Sequence, residues 1–205
     1  NMSLNCTEIN LILDELDLTG SFIQQIVQPS FDTLALYTYK NSTAKTVLIC
    51  LGAGACRINE TRKKIPKTEK PLRFMEFMKS RIKGCRIQSC KQIGFERIIQ
   101  MELSHGDEEF FMFIRLWSNA ANIIVTDKNL TILDVFYRRP KRNELTGKVF
   151  ELPQFREQDK VFEARDFNDL AETLKENEYI SFETLTFNQK VDLWYSEHSQ
   201  SLSRE

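Results

Sequence analysis

The chain has 205 residues, 41% of them hydrophobic and 28% charged, and its 28 Lys and Arg against 29 Asp and Glu leave a net charge of −1. That is the make-up of a folded chain with one sizeable core or two small ones, and it excludes wholesale disorder. The longest apolar runs, 47–51 and 110–114, fall far short of the roughly 20 residues a membrane helix needs.

Asn1 stands ahead of Met2, which marks Met2 as the expected native start. The polar, acidic stretch that follows lacks the layout of a signal peptide, so a cytoplasmic protein is expected. Ile9, Ile12, Leu13 and Leu16 recur at helical spacing behind Asn5 and Glu8, a capping-box pair, and predict a first helix that ends before Gly20. Asp14, Glu15 and Asp17 read as its solvated face. Residues 22–28, 32–39 and 46–51 read as strands. Gly52-Ala53-Gly54-Ala55 lacks both the third glycine of a dinucleotide fingerprint and the Gly-Lys-Ser/Thr of a phosphate loop, so it reads as a strand-end turn.

A basic, proline-flanked loop over 63–71 precedes a second amphipathic helix marked by Phe74, Phe77, Met78 and Ile82, stopping at Gly84. Strand patterns follow at 86–91, 96–103, 109–117, 120–126 and 130–137, with Ser104 to Glu108 as a hairpin loop. A third helix is expected from Asp166 through about 176, with Phe167, Leu170 and Leu174 on one face. The last helical pattern, Val191, Trp194, Tyr195, His198 and Leu202, runs to the chain's end, which predicts a longer parent protein. Short strands joined by tight turns are antiparallel. The fold class expected is α+β, an antiparallel sheet or sandwich with flanking helices, divided into an α+β domain over 2–164 and a C-terminal helical extension over 165–205.

Charge segregates along this order. Between Arg62 and Arg97 stand twelve basic residues against three acidic ones, a net +9 that leaves −10 for the rest of the chain. Arg138, Arg139, Lys141 and Arg142 form a second basic cluster. Lysine and arginine at this density read either as a solvated loop and helix face or as a polyanion-facing surface, where each one set against a phosphate releases condensed counterions, and the presence of two separate clusters favours nucleic acid. The phosphate-binding candidates are Lys63, Lys64 and Lys67 in the loop, with Arg138, Arg139, Lys141 and Arg142 after the last strand.

Motifs for chemistry are missing. The five cysteines are odd in number and without a CxxC, the two histidines stand alone, and no Gly-x-Ser-x-Gly elbow occurs. No catalytic group, metal site or cofactor is expected, and recognition rather than catalysis is the default. Within the basic window, Glu96 and Arg97 read as the start of a strand whose alternation sends their side chains to opposite faces. Two readings stand at that position: an exposed strand-start pair worth very little, or a functional pair in which Arg97 forks onto a phosphate or base while Glu96 accepts from a base edge or orients a neighbour.

Met2-Ser3-Leu4-Asn5, Gly20-Ser21-Phe22-Ile23-Gln24-Gln25-Ile26, Gly94-Phe95-Glu96-Arg97, Arg115-Leu116-Trp117-Ser118-Asn119-Ala120-Ala121-Asn122-Ile123-Ile124 and Arg138-Arg139-Pro140 together resemble the N-terminal domain of the NFACT family. These are ribosome-quality-control proteins of the RqcH type and their eukaryotic relatives, often labelled fibronectin-binding protein A homologues. The resemblance covers about residues 2–198. It implies an RNA- and ribosome-binding domain without enzymatic activity, whose partners are tRNA and an obstructed large ribosomal subunit carrying peptidyl-tRNA, and which supports C-terminal tailing of the stalled peptide. The family's functional Asp-Arg pair aligns with Glu96 and Arg97, and an acidic residue of its first helix with Glu8. Both acids are Glu here, a methylene longer. The resemblance also implies an architecture like the N-terminal domain of formamidopyrimidine DNA glycosylases, without their chemistry, since Ser3 after Met2 supplies no proline nucleophile. The alternative is a fibronectin- or fibrinogen-binding surface adhesin, against which stand the missing signal-peptide layout and the odd cysteine count.

Overall fold

The structure, a computed structural model, describes residues 2–67, 72–154, 162–168 and 184–202. Helix α1 (Cys6–Leu16) starts where the sequence places it: Asn5 accepts from the Glu8 amide, and the Glu8 carboxylate accepts from the Asn5 amide. Nine strands follow, β1 (Phe22–Ser30), β2 (Thr33–Lys40), β3 (Thr43–Cys50), β4 (Arg57–Thr61), β5 (Arg86–Gln92), β6 (Ile98–His105), β7 (Glu108–Arg115), β8 (Asn122–Thr126) and β9 (Ile132–Val135). Helix α2 (Arg73–Arg81) lies between β4 and β5, and α3 (Phe187–Leu202) closes the described chain. A 3-10 turn spans Pro140–Arg142. The helix predicted from Asp166 falls mostly outside the described residues, as do Lys70, Pro71 and the side chain of Leu202.

The strands form one antiparallel sheet in the order β4-β3-β2-β1-β5-β6-β7-β8-β9. Its two halves meet only at a corner. Phe22↔Arg86 is the single register pair between β1 and β5, reinforced by backbone bonds from 20–23 to 84–87. The sequence missed β4, whose polar run Arg57-Ile58-Asn59-Glu60-Thr61 becomes a strand by pairing with β3 along five residues.

One core serves both halves. Ile26, Leu36 and Ile49 from the first half and Met101, Met112 and Ile123 from the second belong to it, together with Ile9 and Ile12 of α1, Met78 of α2, and Val191, Trp194 and Tyr195 of α3. On β6, β7 and β8 the alternate positions, Ile98, Phe113 and Ile124, bury themselves in a second, smaller core with Phe150. That is why β8 is buried on both faces. The N-terminal strap stitches the halves together. Met2 and Leu4 donate to the carbonyls of Gly54 and Cys56, while Ser3 Oγ lies 3.0 Å from Ser118 Oγ and accepts from the Cys56 amide.

Glu15, read from the sequence as solvated, instead caps α3: its carboxylate accepts from the amides of Phe187 and Asn188 at 3.0 and 2.8 Å. Asp17 is a left-handed helix cap paired with Lys40. A helix-wheel reading sees only α1 itself and not the second helix laid against it. The five cysteines are free, four of them buried.

Helix α3 also carries Asp192, which accepts from Asn59 and Thr61 of the edge strand β4 at 3.1 and 3.0 Å. Burial pushes its carboxyl above the ordinary value, and the bonds from Thr61 and Asn59 offset this only in part. A raised carboxylate costs stability at neutral pH, and that cost is relieved as pH falls. Asn at this position still accepts from Asn59 and donates to the Thr61 hydroxyl. Asp192→Asn is therefore expected to raise the melting temperature of the domain at neutral pH, with the gain shrinking in acid.

Candidate nucleic-acid interface

The β5–β6 connection is a tight turn closed by the Ile93 amide on the Ile98 carbonyl at 2.8 Å and the Glu96 amide on the Ile93 carbonyl at 3.1 Å. Gly94 and Arg97 both adopt positive φ, 49° and 55°. Gly94 takes it freely, whereas an arginine held there is worth about 1 kcal/mol of strain. The pair expected at a strand start is thus in a turn, and strand alternation does not govern it. The backbone reversal that Gly94 permits delays the strand to Ile98.

Residues 115–117 hold the turn in place. The Leu116 amide donates to the Arg97 carbonyl at 2.9 Å, and the Trp117 indole N–H donates to the Glu96 carbonyl. Arg97 is left half-exposed, with no side-chain hydrogen bond or ion pair among the described residues. Phe95 beside it is 48% exposed.

Glu8 sits in the first turn of α1 and is completely buried. Arg165 grips it with two bonds, Nε to Oε2 at 2.8 Å and Nη2 to Oε1 at 2.7 Å, while the Arg165 amide adds a third at 2.9 Å. With the Asn5 amide on Oε1, each carboxylate oxygen has two donors. Arg165 also donates to the Ser3 carbonyl at 2.8 Å. Thr7 and Asn5 bond the carbonyls of Phe162 and Glu163. Glu8 thus serves to pin the segment 162–165 onto α1, a role sequence spacing could not reveal because its partner is 157 residues away.

Between α1, the 93–97 turn and this pinned segment runs a groove of about 470 Å³. Asn5, Cys6, Phe95, Arg97, Phe162 and Arg165 line it. Glu8 and Arg97, far apart in sequence, therefore converge, with Arg97 in the wall and Glu8 behind Arg165. An unengaged guanidinium, exposed rings and the amide end of a helix form a surface suited to phosphate and to stacked bases. A shallower depression, lined by Glu96, Trp117 and Asn119, adjoins Arg97.

The basic clusters fare unequally. Lys63, Lys64 and Lys67 are exposed in an irregular segment after β4. Arg138 and Lys141 are exposed too. Arg139 instead turns inward onto the Ala121 carbonyl at 3.0 Å, and Arg142 reaches Glu144 at 3.4 Å. Part of the +9 window is also engaged: Arg73 pairs with Asp134, and Arg81 lies 4.0 Å from Glu108. Among the described residues no group of His, Cys, Asp and Glu is arranged to hold a metal ion, and no helix is long and apolar enough to cross a membrane.

The arrangement is an α+β domain built on a nine-strand antiparallel sheet. A family model described as NFACT N-terminal and middle domains matches residues 6–188, and the chain belongs to that family. RqcH of Streptococcus pneumoniae, described as an Rqc2 homologue, is 26% identical over 178 residues, which cover 80% of this chain and 32% of RqcH. Human NEMF, a ribosome quality control complex subunit, is 25% identical over 147 residues, 70% of this chain and 13% of NEMF. The chain thus spans about a third or less of these curated relatives. Among solved structures, the N-terminal domain of the fibronectin-binding protein PavA from Streptococcus pneumoniae has a TM-score of 0.69 at 23% identity, over 98% of this chain and 82% of that one. The N-terminal part of the fibronectin/fibrinogen-binding protein from Streptococcus suis has a TM-score of 0.71 at 19% identity, with the same coverage. At these identities the likeness establishes the fold.

Proposed function

We infer that this chain is the RNA-facing N-terminal module of a cytoplasmic ribosome-quality-control factor. It binds tRNA and the obstructed large ribosomal subunit and so supports tailing of the stalled peptide, without chemistry of its own. The observation that carries this reading is the groove in which Arg97, without a bonded carboxylate among the described residues, stands between Phe95, Phe162 and the start of α1. Membership of a family that includes RqcH and NEMF supports it. In this reading Arg97 takes a phosphate or base, Glu96 accepts from a base edge, and Glu8 acts at one remove by fixing Arg165. Lys63, Lys64, Lys67, Arg138 and Lys141 supply the longer-range attraction.

Binding of the chain to tRNA and to purified large subunits across a salt series tests this. Wild type is expected to bind steeply, its log affinity falling by about 0.7–0.9 per phosphate contact for each log unit of salt. Glu96→Ala/Arg97→Ala should lose about tenfold or more in tRNA affinity. Neutralising Lys63, Lys64 and Lys67 should mainly flatten the salt slope. Absence of binding to both targets at low salt defeats the reading. Immobilised fibronectin run in the same series covers the adhesin alternative, which would gain from a salt-insensitive interaction.

A further inference from the structure

Trp117 also lines a second cavity, of about 290 Å³, separate from the groove. Ile98, Phe150 and Leu152 give it apolar walls, and Arg115, Arg142, Glu144 and Glu151 give it a charged lining. Arg115 and Glu144 are both almost fully buried. Glu144 Oε1 is satisfied by Arg115 Nη2 at 2.8 Å and Asn122 Nδ2 at 3.0 Å. Among the described residues Oε2 has only Arg142 Nε, at 3.4 Å, the limit of a hydrogen bond. A buried carboxylate oxygen so thinly served wants a better N–H donor.

Arg142 marks what shape that donor takes. Its guanidinium, planar and edged with N–H groups, lies 5.9 Å from the Trp117 ring centre while reaching for Glu144. Its side chain is 44% exposed, so it is free to swing out. A flat π-system with an N–H edge would meet both neighbours better than Arg142 does. The volume is below that of drug-sized pockets, about 300–1,000 Å³, and suits one ring system. Arg142, with Lys141 next to it, favours a ligand carried on a polyanion and disfavours a cationic peptide.

We propose that this cavity takes a single unpaired, amino-bearing RNA base, its edge on Glu144 Oε2 and its face against Trp117, with Arg142 moving onto the adjoining phosphate. The site rests on the RNA-binding reading above and extends it. Because the Trp117 indole also holds the Glu96 carbonyl, a base lodged here would be registered directly at the Glu96-Arg97 turn.

Trp117 and Trp194 are the only tryptophans, so a Trp194→Phe variant reports Trp117 alone, and the wild type with Trp194 as constant background serves if that variant is unstable. End-labelled short oligoribonucleotides of A, C or G, and an abasic ribose-phosphate oligomer of equal length, would be titrated at low salt. Anisotropy follows binding and tryptophan emission follows base entry. Base-bearing oligomers should quench Trp117 and the abasic one should bind without quenching. Trp117→Leu should weaken the base-bearing oligomers about tenfold more than the abasic one, and Glu144→Gln should reduce the same preference. Oligomers that bind without quenching, or variants that weaken both kinds equally, overturn the base site alone. If no oligomer binds at all, the RNA-binding reading falls and the base site with it.

Discussion

Arg115→Ala should lower the unfolding free energy of the domain by about 3–5 kcal/mol, read as a shift of the urea midpoint at unchanged slope. The reason is the company Arg115 keeps. Its guanidinium donates to the Ala120 carbonyl and to Glu144, both at 2.8 Å, and the two side chains are 3% and 5% exposed. Removing one member of such a pair leaves the other charge buried without compensation, which costs far more than the pair was worth. The damage spreads because Asn122, which shares Glu144, also receives the Tyr137 amide and donates to its carbonyl. Those bonds fix the loop 116–121 against β9 and its exit. Arg115→Met/Glu144→Leu, removing both charges together, is expected to recover most of the loss. A single Arg115→Ala variant within about 1 kcal/mol of wild type would mean that water satisfies Glu144, and the network would then be dispensable.

The same pair sets an acid limit. Burial by itself raises the Glu144 carboxyl, but hydrogen bonds from Arg115 and Asn122 and the charges of Arg115 and Arg142 outweigh it, and the net position is below the ordinary value of 4.5. With the folded value depressed, the contribution is complete above the unfolded value and is lost as pH falls through the folded one. The urea midpoint should be flat near neutrality and fall in acid, less steeply for Glu144→Gln.

The sequence announced the repeating parts of this fold and hid the singular ones. Helix α1 and the strands of 98–126 carry clean periodicities, so their places followed from spacing alone. Strand β4 did not, since Asn59 and Thr61 are polar inward positions made tolerable by Asp192 on α3. The Glu96-Arg97 turn read as a strand because the residues after it alternate, and only the positive φ at Gly94 and Arg97 shows otherwise. At the candidate site, Arg97 stood out in the basic window and again in the family motifs, whereas Glu8 came through the resemblance alone. Trp117 stood inside a recognised motif without an assigned role, because its bond to the Glu96 carbonyl joins two separate hairpins. Arg165 gave no signal at all, standing in an acidic stretch where nothing marks it as the partner of a helix-start glutamate.

That hidden pair supports the second large effect. Glu8 is 0% exposed, whereas the Arg165 side chain is 37% exposed, so the two truncations should not be equal. Arg165→Ala removes two of the four donors from a carboxylate buried behind it, leaving the Asn5 amide and the amide of residue 165, and is expected to cost about 3–5 kcal/mol. Glu8→Ala leaves a guanidinium that solvent can still reach, and its cost is mainly the lost capping box and packing, about 1–3 kcal/mol. The double variant should be more stable than Arg165→Ala alone, a sign of coupling that a pair of independent surface residues would not give. Glu8→Asp, a methylene shorter, should keep a first-turn acid but lose the two-pronged grip, placing it between wild type and Glu8→Ala. Because Arg165 anchors 162–165 along one side of the groove, RNA affinity measured where each variant remains folded should fall in the same order as stability. If Glu8→Ala lost tRNA binding while keeping wild-type stability, Glu8 would have to touch the RNA itself, and the buried carboxylate described here would not be its working state.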